Sequence, residues 1–140
     1  MRTLALELGV AQRVWFLGMQ TDMDVVYHAA DLLVHPTLED TYAMVVLEAM
    51  AHGVPVVVSG APWCGISAEL RDGLNAIVLQ NPASSSEVSD RIATVLGDQG
   101  LARALADQGL IFARGQTWEA VATRYETINQ DVRARLPGAL

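Results

Sequence analysis

Residues 54–58, Val54-Pro55-Val56-Val57-Val58, constrain the fold more than any other part of this chain. The run is short, continuous and β-branched, with no polar position to turn toward water. Both of its faces must therefore be covered, as in the central strand of a parallel sheet. Its surroundings agree. Residues 43–51 are apolar on nearly every side except at Glu48, and Gly53 supplies a left-handed stop, so a buried helix leads into the strand.

The same alternation extends both ways. Residues 3–8 read as a short helix stopped by Gly9, and residues 14–17 (Val-Trp-Phe-Leu) as a buried strand ended by Gly18. Thr21, with Asp24 three residues on, reads as a helix N-cap before Met23, Val26, Tyr27 and Ala30. Residues 32–35 form another strand, ended by Pro36, and residues 76–79 a fourth after the Gly73-Leu74-Asn75 turn. From there the pattern is helical: Ser84-x-x-Glu87 is a capping box, and Thr117 can cap a last helix carrying Trp118, Val121, Tyr125, Ile128 and Val132. The expected architecture is α/β, a partial Rossmann-like, doubly wound parallel sheet of about four strands with flanking helices. It forms one domain over residues 1–140, with 131–140 fraying.

Charge and composition exclude several function classes. Nine basic against sixteen acidic side chains give a formal charge of -7, which disfavours nucleic acid and anionic bilayers as partners. No apolar run approaches the roughly 20 residues of a transmembrane helix, and the first residues run into an amphipathic segment containing Glu7, not a secretory leader. One cysteine, Cys64, fits a reducing cytoplasm and a buried thiol. His28, His35, His52 and Cys64 show no metal-ligand spacing, so neither metal nor cofactor is expected. His28 and His52 fall near helix C-termini, and His35, with no partner acid evident, reads as packing.

Chemistry concentrates between His35 and Val57. There a strand ends in a polar loop, residues 37–41, and a helix begins with unpaired backbone N–H groups around Tyr42, Ala43, Met44 and Val45. Such an end attracts anions, and it lies beyond the carboxyl end of a parallel strand, where open α/β sheets bind ligands. Glu48 is a carboxylate among Val, Leu, Met and Ala, costly unless something outside the helix hydrogen-bonds to it. Helical side chains lean toward the N-terminus, so Glu48 can reach back toward the anion-attracting end, where a ribose diol is a natural partner. The alternative is that it caps a neighbouring backbone group or pairs with an arginine.

The stretch Pro36-Thr37-Leu38-Glu39-Asp40-Thr41-Tyr42-Ala43, followed by Leu47-Glu48-Ala49-Met50-Ala51-His52-Gly53-Val54-Pro55-Val56, resembles the acid-x7-acid region of family-4 retaining glycosyltransferases of GT-B fold. Val14-Trp15-Phe16-Leu17-Gly18, Tyr27-x-Ala29-Ala30-Asp31 and Asp72-Gly73-Leu74-Asn75 extend the resemblance in order over residues 8–80. The Trp63-Cys64 pair is similar to lipopolysaccharide-core glucosyltransferases.

The resemblance implies a nucleotide-sugar-binding domain. Asp40, with Glu39 beside it, would contact the donor sugar, and the backbone of Thr41, Tyr42, Ala43, Met44 and Val45 the diphosphate. Glu48 would bind the ribose, while Gly18 and Met19 would lie near the base pocket. No residue of the chain is assigned a catalytic role. Asp40 stands where glutamate is usual, and Ala43 where glycine is usual. The implied substrate is a UDP-sugar or GDP-sugar, and the implied reaction is hexose transfer to a glycan or lipopolysaccharide acceptor.

The resemblance also implies an N-terminally shortened domain, because the family's domain has two further strand–helix units before the one ending in a strand like residues 14–17. Those units carry the Arg and Lys pair that neutralises the diphosphate. Here all nine basic residues are arginine, and none lies between Arg13 and Arg71. Weak donor binding and an inactive isolated chain are therefore expected. A homodimer is expected, since residues 14–17 lose a strand neighbour, and a non-catalytic homodimeric or partner-completing module is the alternative function.

Overall fold

The computed structural model describes residues 1–135. Its centre is a three-stranded parallel sheet, β1 (Leu33–His35), β2 (Val56–Ser59) and β3 (Ile77–Leu79), in the order β1-β2-β3. The register pairs Leu33 with Val56 and Val57 with Ile77. The valine-rich run is the central strand, and every residue of β2 is buried. Parallel strands cannot be joined by tight turns, so each connection carries helix.

The described residues form six α-helices, α1 (Arg2–Glu7), α2 (Asp24–His28), α3 (Met44–Ala51), α4 (Ser85–Gly97), α5 (Gln99–Arg114) and α6 (Trp118–Arg135), of which α3, α4 and α5 pack on the sheet. Helix α3 fills one side of β2 with Val46, Ala49 and Met50, packs along α5, and joins Tyr27, Val56, Val58, Cys64 and Ile66 in the larger core cluster. On the opposite side Val57, Ile77, Leu79, Val95 and Leu105 form a second cluster under α4 and α5. A methyl at Gly109 of α5 would stand 3.2 Å from Met50, so this glycine sets how closely α3 and α5 approach. Burial of these side chains contributes about 1.5–3 kcal/mol each relative to leaving them in water.

Caps hold the C-terminal helices. Ser84 accepts the Glu87 amide as expected, but the Glu87 carboxylate takes the Gln80 and Asn81 amides instead of closing the box on Ser84. Asp98 separates α4 from α5 by accepting the Gly100 and Leu101 amides. Thr117 caps α6 through the Ala120 amide. Residues 131–135 continue α6, and the rest of the expected fraying lies outside the described residues.

Two expectations for the N-terminal third are corrected. Residues 14–17 form no regular element and pair with no strand, so the sheet has three strands among the described residues, not four. Apolar composition alone cannot make a strand; a free sheet edge must stand at the right distance, and all four of these residues are exposed. Arg2 lies 4.8 Å from the Phe16 ring centroid. The second correction concerns α2, which begins at Asp24 with Met23 at its N-cap and no side-chain cap, so Thr21 does not start it.

Candidate functional site

The loops leaving β1 and β2 meet at the carboxyl end of the sheet. Ser59, fully buried at the end of β2, donates its hydroxyl to the Thr37 carbonyl at 2.7 Å, which ties the β1 loop over the central strand. Beyond it, the Asp40 amide donates to the Trp63 carbonyl at 2.9 Å, and the Gly65 amide to the Asp40 carbonyl at 3.1 Å. Gly65 is required by this contact, because a Cβ there would overlap the Thr41 carbonyl. Cys64 is buried beneath, and burial first, then the Asp40 charge, raises its thiol above the ordinary range.

Asp40 organises the start of α3. Its Oδ1 accepts the Ala43 amide at 2.6 Å and the Tyr42 amide at 3.1 Å, and its Oδ2 lies 3.1 Å from His35 Nε2. Burial works against the charged carboxylate, but the Ala43 amide, His35 and the Tyr42 amide outweigh it and hold the pKa below the ordinary aspartate value. His35 therefore has a partner acid five residues away, contrary to the expectation from sequence. A turn across Pro36 was needed to bring them together.

Ala43, almost fully buried, adopts φ +60, the left-handed conformation that glycine takes without strain. In an alanine this costs roughly 1–2 kcal/mol, and two charge-assisted hydrogen bonds to Asp40 offset it. The glycine-like backbone is thus retained without the glycine.

This geometry sorts the expected phosphate donors. The Tyr42 and Ala43 amides are occupied by Asp40, whereas the Met44 and Val45 amides have no acceptor among the described residues. The Thr41 amide likewise has no acceptor among the described residues, and its carbonyl faces Gly65. The Tyr42 phenol donates to Glu69 at 3.1 Å, and Glu69 also accepts Gln116 at 3.1 Å. An open cleft of about 230 Å³ lies between the first turn of α3 and the start of α6, lined by Tyr42, Met44, Leu47, Gln116, Trp118 and Val121.

Glu48 stands one turn beyond Met44 on the exposed face of α3. It is not a buried carboxylate, and it neither caps a backbone group nor pairs with an arginine. Its Oε2 instead accepts the Tyr27 hydroxyl at 2.8 Å. Glu39 is exposed, and its backbone carbonyl accepts the Thr37 hydroxyl. Gly18 occupies a positive-φ turn and Met19 is 96% exposed. No hydrogen bond or buried cluster among the described residues joins either to Asp40, Tyr42 or Glu48. Among the described residues no three His, Cys, Asp or Glu side chains converge.

Sequence reasoning missed Tyr27, Ser59 and Gly65 as parts of this site, because each acts through a contact more than twenty residues away in the chain.

A parallel α/β sheet with free helix amides beyond its strand ends is the architecture of an open α/β domain, a class that binds ligands at the carboxyl ends of its strands. Residues 1–98 match the glycosyl transferases group 1 family, and the chain belongs to that family. It is 33% identical over 138 residues to a D-inositol 3-phosphate glycosyltransferase of Mycolicibacterium smegmatis, covering 96% of this chain and 31% of the relative. Among solved structures it is similar to Anabaena HepE in complex with UDP-glucose, with a TM-score of 0.76 and 27% identity over 99% of this chain and 36% of that one. It is also similar to WaaG, a glycosyltransferase involved in lipopolysaccharide biosynthesis, with a TM-score of 0.76 and 28% identity over 91% of this chain and 34% of that one. The chain spans about a third of the length of these relatives, and its sheet and helices match the C-terminal domains of GT-B glycosyltransferases. No helix among the described residues is long and apolar enough to cross a membrane.

Proposed function

We propose that this chain is the donor-binding half of a retaining GT-B glycosyltransferase that transfers a hexose from a UDP-sugar or GDP-sugar to a glycan or lipopolysaccharide acceptor. One observation carries the reading. The Met44 and Val45 amides are free at the N-terminal end of α3, and the exposed Glu48 follows Met44 by one helical turn, at the carboxyl end of the sheet. The amides and the helix dipole suit a diphosphate, and the carboxylate suits the ribose hydroxyls beside it. Family membership and likeness to a structure solved with UDP-glucose support it. In this reading Asp40 acts chiefly as the anchor that shapes the phosphate loop, with Glu39 left free toward the sugar. Gly18 and Met19 reach the base only after a movement of their surface segment.

The affinity of these 140 residues by themselves is low in this account. A nucleoside diphosphate carries two to three negative charges, and a helix N-terminus contributes about 0.3–1 kcal/mol when exposed, or about 2 when partly buried. The sequence places no arginine between Arg13 and Arg71, and the cation whose charge reaches Tyr42 is Arg124 of α6. Sugar transfer also requires an acceptor placed against the donor in a water-excluding cleft, and the α3 end is open. The isolated chain is therefore expected to bind donor weakly and to turn over none. Calorimetry with UDP and GDP tests this: sub-micromolar binding, or sugar transfer above background, would contradict it. An unchanged heat of UDP binding in Glu48→Gln would remove the ribose role.

A second reading rests on a separate observation. Trp15 is 77% and Leu17 57% exposed, the backbone between them has no strand partner, and the outer edge of β1 is unpaired. We propose that the 140-residue chain forms a homodimer, or completes a partner chain, through these two edges, as exposed apolar strands do. Sedimentation should give about twice the 15.1 kDa chain mass, and Trp15→Glu should return it to a monomer. A monomeric parent at micromolar concentration would rule the pairing out.

A further inference from the structure

Tyr27 is 4% exposed, and its hydroxyl emerges from the core at a single acceptor, Glu48 Oε2, 2.8 Å away. Glu48 lies on an exposed helix face, where a free glutamate samples several rotamers. The bond from Tyr27 selects among them. It also engages one carboxylate oxygen and leaves the other, Oε1, without a partner among the described residues.

The donor is itself fixed in place. Helix α2 is tied to the end of α3 by His52, whose Nδ1 lies 2.8 Å from the Glu48 carbonyl and whose Nε2 lies 3.1 Å from Asp24 Oδ1. The Tyr27 ring lies 5.0 Å from the His52 ring. Two elements that are separate in sequence thus converge on one side chain.

We propose that Tyr27 is a positioning residue that holds Glu48 with Oε1 presented to a diol of the bound nucleotide. The inference rests on the ribose role proposed for Glu48. A purely structural tyrosine would need only a place for its ring, which Phe would fill equally well; a positioning tyrosine needs its hydroxyl. Burial first, then the Glu48 hydrogen bond, pushes the phenol pKa up to about 12, so the group remains a donor across the neutral range.

The test compares UDP with 2′,3′-dideoxyuridine diphosphate, by NMR titration of the parent chain, Tyr27→Phe, Glu48→Gln and the double variant. Tyr27→Phe keeps the ring in the core and returns Glu48 to water, so the fold is retained. Loss of one such hydrogen bond should weaken UDP binding about three- to tenfold. Binding of the dideoxy analogue should not change. The double variant should bind UDP no more weakly than Glu48→Gln. Tyr27→Phe behaving like the parent toward UDP, while Glu48→Gln weakens it, would overturn the positioning role and leave the ribose reading standing. So would equal weakening of UDP and the analogue. Glu48→Gln behaving like the parent would overturn the ribose reading itself, and the positioning role with it. A parent chain that binds no UDP would overturn both.

Discussion

Gly65→Ala is the most informative single change, because it acts on the junction of the two loops and not on any group expected to touch a ligand. Gly65 does not have a positive φ, so its own backbone tolerates alanine. The cost arises from space: the new methyl would overlap the Thr41 carbonyl, and a backbone group cannot swing aside as a side chain can. Relieving that overlap means moving the loops apart and losing the Asp40 to Trp63 and Gly65 to Asp40 hydrogen bonds, at 2.9 and 3.1 Å. Each of the two backbone bonds is worth about 0.5–1.5 kcal/mol, and a displaced, overpacked backbone costs about 1–3 kcal/mol, so the total is about 2–6 kcal/mol. With a urea dependence of about 2 kcal/mol per molar, the unfolding midpoint should fall by about 1–3 M. Gly97→Ala is the control, since its methyl would enter open space at the end of α4 and should leave the midpoint unchanged or raise it. Equal midpoints for the two variants would show that the loops are not locked together.

Two pH dependences follow from the charged groups around α3. The folded state lowers the Asp40 pKa, so its contribution is present above the ordinary aspartate value of about 4 and lost as pH falls through the folded value. The stability difference between parent and Asp40→Asn should therefore close below about pH 4, and a difference independent of pH from 7 to 3 would refute the assignment. His52 has the opposite sign. The Glu48 carbonyl first, with Asp24 adding to it against the effect of burial, raises its pKa above the usual value of about 6.5. Its contribution is whole below that value and is lost as pH rises through the folded one. Urea midpoints should fall more steeply for the parent than for His52→Gln between about pH 6 and 9, and parallel profiles would argue against a charged His52.

How far the sequence reached depended on the range of the forces involved. The central strand was legible because five consecutive apolar residues admit one environment, and β2 is fully buried. The caps at Ser84 and Thr117 were legible because each is closed within three residues. Residues 14–17 misled for the converse reason. Their composition suits a strand, but pairing depends on an edge supplied from elsewhere, and no edge meets them. At the site, the amide-rich start of α3 and the exceptional Glu48 were visible as a pattern. The division of labour was not. That Asp40 takes the Tyr42 and Ala43 amides, leaving those of Met44 and Val45, depends on a left-handed residue and a turn through Pro36 that no spacing reveals. Tyr27 was legible only as an apolar helix position and as part of a resemblance, and its bond spans twenty-one positions.

The central claim is that the start of α3 receives a nucleoside diphosphate. Amide-resolved NMR of the isotope-labelled chain during titration with UDP tests it most directly. The account predicts saturable shifts centred on Met44, Val45 and Glu48, with smaller ones at Tyr42 and Ala43, whose amides are already held by Asp40. Shifts confined to other parts of the surface, or none at millimolar UDP, would contradict it.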